Sequence, residues 1–280
     1  LVDVSGSSVD ASGNLTDGNG NLVDLDGNSK KSLKTATVSG LSAKYYTGKS
    51  LKPSVTVTLK GKKLVLNKDY KVTYKNNKKV GYATVIVKGK GKFAKYTGSI
   101  SRNFTIRIKN NSTYTAGKLK YTITNADTTG KGTVTLTAAT NKTTVTSLTV
   151  PSTVKIGGKS FKVTAIGKKA FSGAKKLKKV VIGKYVTYIG QEAFSGNTAL
   201  TTVSCSCTSL NYIGKKAFYG DKKLSSVTLK TTKLTSSKTG SDAFKNIKST
   251  CKFKVPASKV KTYQKLLISR GAGSKIKVTK

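Results

Sequence analysis

A short motif that returns at a nearly constant interval is the feature that most limits how this chain can fold. IGKKAF stands at residues 166–171, IGQEAF at 189–194 and IGKKAF again at 213–218, so the motif recurs after 23 and then 24 residues. A shortened form, SDAF, follows at 241–244. A unit of this length cannot bury its apolar face alone, so neighbouring units must stack into a solenoid.

Apolar residues follow each phenylalanine of the motif at fixed offsets. The spacing is L-x-x-V-x-I in three repeats, while the fourth repeat keeps only Phe253 and Val255. A period of about 20 to 29 residues with this spacing is typical of a leucine-rich-repeat solenoid, in which each turn contributes one short strand. We predict a short right-handed solenoid whose inward residues are Leu177, Val180, Ile182, Leu200, Val203, Cys205, Leu224, Val227 and Leu229.

The same residues also resemble a known family. The stretch IGKKAFSGAKKLKKVVIGKYVTYIGQEAF is similar to the BspA-like leucine-rich repeats of bacterial surface proteins. SLTVPSTVKIGGKSFKVTAIG resembles the lead-in to such arrays, and VPASKVKTYQKLL resembles their end. The resemblance implies a non-catalytic adhesin or interaction module, secreted or on the surface of a Gram-positive bacterium. It places a leucine-rich-repeat domain at 110–280, with a lead-in at 110–160, repeats at 161–255 and a C-terminal cap at 256–280.

Upstream of the repeats, the sequence alternates between apolar and polar residues. SVTVTL, DYKVTY and YATVIV each place apolar side chains on one face, and KNNKK supplies a turn. Several short strands within about 70 residues favour a small β-sandwich. The stretch from YYTGK to NFTI also resembles the Ig-like modules of bacterial surface proteins. We therefore predict a mainly β chain, with an Ig-like β-sandwich at 37–109 ahead of the solenoid.

The first 28 residues are acidic, contain no Lys or Arg, and repeat every seven residues. Asp recurs at positions 3, 10, 17 and 24, and Gly at 6, 13, 20 and 27. With so few apolar side chains, the segment cannot offset the entropy of ordering, so we predict a flexible spacer at 1–36. Weak calcium binding by the aspartates is the alternative, although the spacing matches neither an EF-hand loop nor a glycine-rich nonapeptide repeat.

The net charge points to anionic partners. The chain has 53 Lys and Arg residues against 10 Asp and Glu, for a formal net charge of +43. Such a field attracts teichoic acids, anionic glycans, nucleic acid or acidic membrane surfaces. Only three residues are Arg, so the guanidinium groups that form bidentate hydrogen bonds with base edges are nearly absent. We therefore expect no specific nucleic acid partner. No apolar run reaches the about 18 residues of a membrane span.

Catalytic and metal-binding patterns are scarce. The chain has no His, which excludes Ser-His-Asp and Cys-His arrangements. Glu192 is the only Glu, and Asp69 fits a turn, while Asp221 and Asp242 are predicted to lie at loop positions of the solenoid. We therefore predict a protein that is not an enzyme and needs no cofactor or metal.

The three cysteines are predicted to stay unpaired. Cys205 and Cys251 fall two turns apart, about 9 to 10 Å at the spacing of neighbouring strands. That distance exceeds the about 7 Å over which Cα atoms can be bridged. Cys205 and Cys207 are so close in sequence that a bond between them would be strained, so we expect no disulfide.

The residues between the inward positions form the candidate binding site. In a leucine-rich-repeat solenoid they lie on the open concave sheet, where solenoids usually bind. We predict that a protein or glycan of a host or bacterial surface binds there. The alternative is a wall-retention module held by charge on teichoic acid or another anionic envelope polymer. The loops beside the motif phenylalanines also contain lysines, which form either a second basic column or a solvated rim. These are Lys168, Lys169, Lys215 and Lys216. The concave residues are Lys178, Lys179, Val181, Thr201, Thr202, Ser204, Ser225, Ser226, Thr228, Cys251, Lys252 and Lys254.

Overall fold

The computed structural model describes residues 8–9, 15–16, 23, 33–90 and 99–280. The chain divides into two compact units, Leu1–Arg107 and Ile108–Lys280. Near the N-terminus, β1 (Ser8–Val9) and β2 (Leu15–Thr16) pair in antiparallel fashion. The hydroxyls of Ser8 and Thr16 are 2.8 Å apart.

The predicted spacer at 1–36 is therefore corrected in part. β1 and β2 form a strand pair, and Leu33 is fully buried in the core of the first unit, so ordered structure begins before residue 37. β-branched and aliphatic side chains explain both features, since they favour strand pairing and burial. The repeated Asp and Gly positions, and with them the calcium alternative, lie outside the described residues.

The rest of the first unit consists of two sheets that share one core. A three-stranded sheet has the order β3-β5-β6, and a four-stranded sheet has the order β4-β9-β8-β7, in which only β4 and β9 are parallel. The strands are β3 (Thr37–Ser39), β4 (Lys44–Tyr45), β5 (Thr56–Leu59), β6 (Lys62–Lys63), β7 (Tyr70–Lys75), β8 (Gly81–Gly89) and β9 (Ser99–Arg107).

Alternation along these strands builds the core. Ala83, Val85 and Val87 of β8 are fully buried, and they pack in one cluster with Phe104 of β9 and Val57 of β5. Because the two sheets contribute to a single cluster, their inward faces stabilise one another. The Ig-like character of this unit stays a prediction.

The second unit contains thirteen strands among the described residues, and these form two further sheets. One has the order β10-β11-β12-β15-β17-β19 with β14 beside β15, and the other has the order β13-β16-β18-β20-β21-β22. A 3-10 turn (Ala257–Lys259) leads into α1 (Val260–Ser269). The strands are β10 (Thr113–Ala116), β11 (Leu119–Asn125), β12 (Thr133–Ala139), β13 (Ser147–Val150), β14 (Thr153–Ile156), β15 (Lys159–Ile166), β16 (Lys179–Ile182), β17 (Tyr188–Ile189), β18 (Thr202–Cys205), β19 (Tyr212–Ile213), β20 (Ser226–Leu229), β21 (Lys252–Lys254) and β22 (Lys277–Thr279).

Repeated residues stack on their own equivalents, which confirms the predicted solenoid. Neighbouring strands of the six-stranded sheet are parallel and in register, with Val180 beside Val203 and Val203 beside Val227. The motif phenylalanines form a parallel stack, and the Phe194 ring lies 5.7 Å from Phe171 and 5.3 Å from Phe218. Each turn therefore buries its apolar residues against the next one, as repeats of this length require.

The solenoid is longer than the motif indicates. The sequence shows three good repeats and a weak fourth, whereas six strands line one sheet. β13 pairs with β16 at the start of the array, and β22 pairs with β21 at its end. These two flanking strands lack the IGxxAF motif, so sequence comparison between repeats does not reveal them.

A ladder of buried polar side chains links successive turns. The Ala174 N–H donates to Asn197 Oδ1 at 2.7 Å, and the Asn197 N–H donates to Asp221 Oδ1 at 2.8 Å. Asp221 lies at a loop position, as predicted, and it is fully buried. Burial raises the pKa of its carboxyl to about 9, although the backbone N–H groups of Asn197 and Gly196 oppose the shift.

The structure also corrects the expectation of no disulfide. Cys205 and Cys207 are joined, with their Cα atoms 5.2 Å apart. A fully extended chain would hold residues i and i+2 about 6.6 Å apart. Cys205 ends β18, and the chain bends after it, which brings the two Cα atoms into the range of disulfides. Cys251 is buried and its thiol is free, which agrees with the prediction that it lies too far from Cys205 to form a disulfide.

Candidate functional site

The outward face of the six-stranded sheet carries two straight rows of side chains, here called the outer strip. Residues alternate along each strand, so the neighbours of the outer strip point into the core. The first row is Ser147, Lys179, Thr202, Ser226, Lys252 and Lys277. The second row is Thr149, Val181, Ser204, Thr228, Lys254 and Thr279.

The outer strip has a polar and basic character. Its middle strands, β18 and β20, present only hydroxyl side chains, while β21 presents two lysines. Neither row contains a carboxylate. Six strands at about 4.8 Å each make the strip about 24 Å long. Short hydroxyl side chains on a hydrogen-bonded sheet are already ordered, so a ligand that contacts them orders few additional groups.

The predicted residues divide into two groups. Those of the two rows share the outer strip, whereas Lys178, Thr201 and Ser225 stand just before their strands. There, Thr201 Oγ1 donates to the carbonyl of Lys178 at 3.0 Å, and Ser225 Oγ donates to the carbonyl of Thr201 at 3.3 Å. These two hydroxyls therefore bridge adjacent turns of the solenoid. A role in ligand binding stays a prediction for both groups.

One position is corrected, and four residues were missed. Cys251 was placed on the concave face, but it is fully buried, because the strand begins one residue later and its side chain belongs to the core. The outer strip also includes Ser147, Thr149, Lys277 and Thr279, which lie outside the motif repeats. The alternation SLTV in β13 and KVT in β22 is the sequence signal that could have indicated them.

The loop lysines beside the phenylalanine stack take part in contacts within the protein. Lys169 Nζ lies 3.4 Å from the Glu192 carboxylate of the next turn, and Lys216 Nζ lies 5.2 Å from the centre of the Tyr219 ring. The Gln191 amide donates to Glu192, and this hydrogen bond, together with Lys169, lowers the pKa of the Glu192 carboxyl. These contacts favour the interpretation of this column as a solvated rim.

Most of the positive charge has no counterpart within the chain. Ten carboxylates can neutralise at most ten of the 53 basic side chains. No group of three Cys, Asp or Glu side chains that could hold a metal occurs among the described residues. In the same part of the chain, no helix is both long and apolar enough to cross a membrane.

Comparison with protein families identifies the repeats. Residues 140–269 match the family described as BspA type Leucine rich repeat region, in six copies. The match spans 130 residues, which is less than half of the chain, and it contains five of the six strands of the sheet, since β22 follows it. No curated protein sequence matches the chain.

Several solved structures of bacterial leucine-rich-repeat proteins are similar to part of the chain. One from Bacteroides ovatus is 26% identical with a TM-score of 0.41; the match covers 51% of this chain and 35% of that protein. One from Bacteroides capillosus is 21% identical with a TM-score of 0.39, covering 60% of this chain and 99% of that protein. A leucine rich cell surface protein from Faecalibacterium prausnitzii is 21% identical with a TM-score of 0.21, covering 49% of this chain and 53% of that protein.

Proposed function

We propose that this chain is a non-catalytic interaction protein, secreted or displayed on a bacterial surface, whose outer strip binds a protein or glycan ligand. One observation carries the proposal: hydroxyl and lysine side chains from six parallel strands, with the single exception of Val181, stand in two rows with no carboxylate among them. The match to BspA-type repeats supports it, since the resemblance implies bacterial surface proteins.

The chemistry of the outer strip suits a glycan or a polar protein surface. Ser and Thr hydroxyls both donate and accept hydrogen bonds, and Lys donates three. The rows have a period of about 4.8 Å, so an extended ligand that runs across the strands meets a new pair of side chains at each step, with hydroxyl pairs on the two middle strands and lysines on either side of them. In this proposal the first unit is an Ig-like module, and neither unit takes part in catalysis.

The test blocks the outer strip without disturbing the core. Thr202→Tyr and Ser226→Tyr, combined, put two bulky side chains on neighbouring outward positions, and tyrosine is well tolerated in strands. Thr115→Tyr, on an exposed position of β10 in the other sheet, is the matched control. Binding to immobilised mucin, matrix proteins and glycans is measured for all three proteins.

We expect the double variant to lose at least about tenfold in affinity for the ligand that the wild type binds, while the control keeps its affinity. Equal binding by the double variant and the wild type would contradict the proposal. Thermal unfolding of each protein establishes that a loss of binding is not a loss of folding.

A second function is favoured by the excess of lysine. The chain would be retained at the cell envelope by charge on an anionic polymer such as teichoic acid. Such binding depends on exposed charges, so it should disappear as salt rises from about 0.15 to about 0.5 M, where the Debye length falls below about 5 Å. Binding of the chain to isolated walls with and without teichoic acid tests this function. Binding that is unchanged after teichoic acid is removed would contradict it.

A further inference from the structure

A groove at the C-terminal end of the second unit is separate from the outer strip. It has a volume of about 590 Å³ and lies between the loop after β20 and helix α1. We call it the cap groove. Its lining consists of Thr232, Leu234, Thr235, Ser236, Lys259, Lys261, Thr262, Lys265, Leu266 and Ser269.

The lining of the cap groove combines cationic and hydroxyl groups over an apolar floor. Three of its ten residues are lysines and five bear hydroxyls, and the two leucines are buried. No carboxylate and no aromatic ring belongs to this lining. A site with this composition attracts anions that also carry hydroxyl groups, and it offers no ring on which a nucleic acid base could stack.

The lysines stand where they are unfavourable for the helix itself. Lys259 is the N-cap residue of α1, Lys261 follows within the first turn, and that turn contains no acidic residue. The N-terminus of a helix carries a partial positive charge, so cations there are destabilising and anions stabilising. A bound anion would relieve this repulsion. Lys265 lies one turn further along, about 6 Å from Lys261 along the helix axis.

The walls of the cap groove are held in place before any ligand arrives. The Tyr263 hydroxyl accepts the N–H of Leu234 at 3.1 Å and lies 3.1 Å from the carbonyl of Thr231, to which it donates. The guanidinium of Arg270 donates to the carbonyl of Ser236 at 3.0 Å. These bonds join the loop to the helix, so binding need not order the loop, which favours affinity.

We propose that the cap groove binds a polyol phosphate polymer, with its phosphates on the three lysines and its hydroxyls on the threonines and serines. Lysine binds phosphate as a point charge, whereas bidentate recognition of a carboxylate or a phosphate uses arginine. The only arginine nearby, Arg270, is occupied by backbone carbonyls. The inference rests on the second proposed function, charge retention at the envelope, and assigns it a place.

The experiment compares two variants of the full chain with equal charge. The groove variant is Lys259→Gln, Lys261→Gln and Lys265→Gln. The control variant replaces three exposed lysines of the solenoid loops in the same way: Lys175→Gln, Lys176→Gln and Lys223→Gln. Each loses three positive charges. Calorimetric titration with poly(glycerol phosphate) at about 0.15 M salt measures affinity, and thermal unfolding establishes that both variants are folded.

The inference predicts that the groove variant binds at least about tenfold more weakly than the wild type, while the control variant changes less than about threefold. Equal weakening in both variants would overturn the groove as a site and leave retention by diffuse charge intact. No binding by the wild type would overturn both the groove and the second function. The proposed role of the outer strip would survive either result.

A further pair of substitutions tests the hydroxyl contribution at constant charge. Thr232→Val and Thr262→Val, combined, keep the shape of the cap groove but remove two hydroxyls. We expect weaker binding of poly(glycerol phosphate), with binding of inorganic polyphosphate unchanged. Equal changes for the two polymers, or polyuridylate binding as tightly as poly(glycerol phosphate), would overturn recognition of a polyol.

Discussion

Replacing the buried Asp221 by Asn should stabilise the protein at neutral pH. The folded state holds the carboxyl in its neutral form, because burial raises its pKa from 3.8 to about 9. In the unfolded chain the same carboxyl is ionised at pH 7, so folding must take up a proton there. Each pH unit above 3.8 costs about 1.4 kcal/mol, which gives a cost of up to about 4 kcal/mol at pH 7.

Asparagine fits the site because the preceding turn already uses it. Asn197 accepts the Ala174 N–H through its Oδ1, as Asp221 accepts the Asn197 N–H. Asp221→Asn therefore keeps the acceptor and removes the ionisation. We expect the free energy of unfolding to rise by about 2 to 4 kcal/mol at pH 7, with the gain shrinking to almost nothing below pH 4.

Calorimetric unfolding of the wild type and the variant between pH 4 and pH 8 measures this gain. The folded pKa is raised, so the wild type is more stable at low pH and loses stability as the pH rises through this range, whereas the variant lacks this loss. Asp242→Asn is the control, since Asp242 forms a surface ion pair with Lys245 at 3.6 Å and its loss should cost at most about 1 kcal/mol. A gain for Asp221→Asn that does not vary with pH, or a loss of stability at pH 7, would refute the reasoning.

Three further substitutions test how the turns pack. Phe194→Ala should cost about 3 to 5 kcal/mol of unfolding free energy in calorimetry, because the ring stacks on both neighbouring turns, and a cost under 1 kcal/mol would contradict the stack. Gly214→Ala should destabilise by about 1 to 3 kcal/mol or more, since its Cβ would lie 2.5 Å from the backbone nitrogen of Gln191. Gly273→Ala should be neutral or slightly stabilising in the same assay, because its Cβ would meet only ordinary contacts from 3.8 Å, and a large loss would refute this assignment.

The periodic part of the fold was predictable because the same spacing of apolar residues recurs in each turn. A 23- to 24-residue period and a fixed apolar spacing determine which side chains point inward, and Val180, Val203 and Val227 lie in register as expected. The flanking strands were not predictable by the same means. β13 and β22 join the sheet through backbone pairing and lack the repeated motif, so only their short alternation indicates them.

The errors share a second cause, which is that single positions depend on local geometry. Asp221 lies in a loop, as predicted, but its burial was not foreseen, because it depends on a backbone N–H of the preceding turn that donates to its carboxyl. Cys207 lies two residues after Cys205, and a bend at the strand end brings the two together. The cap groove depends on how α1 packs against a loop more than twenty residues earlier, which no local pattern specifies.

The most direct test of the central claim is the salt dependence of ligand binding by the intact chain. Binding to an immobilised protein or glycan is measured from about 0.15 to about 0.5 M salt, for the wild type and for the Thr202→Tyr, Ser226→Tyr variant. If the outer strip recognises its ligand, the wild type keeps most of its binding at the higher salt and the variant has little at any salt. The claim would be contradicted if the wild type lost its binding by about 0.5 M salt and the variant bound as well as the wild type at low salt.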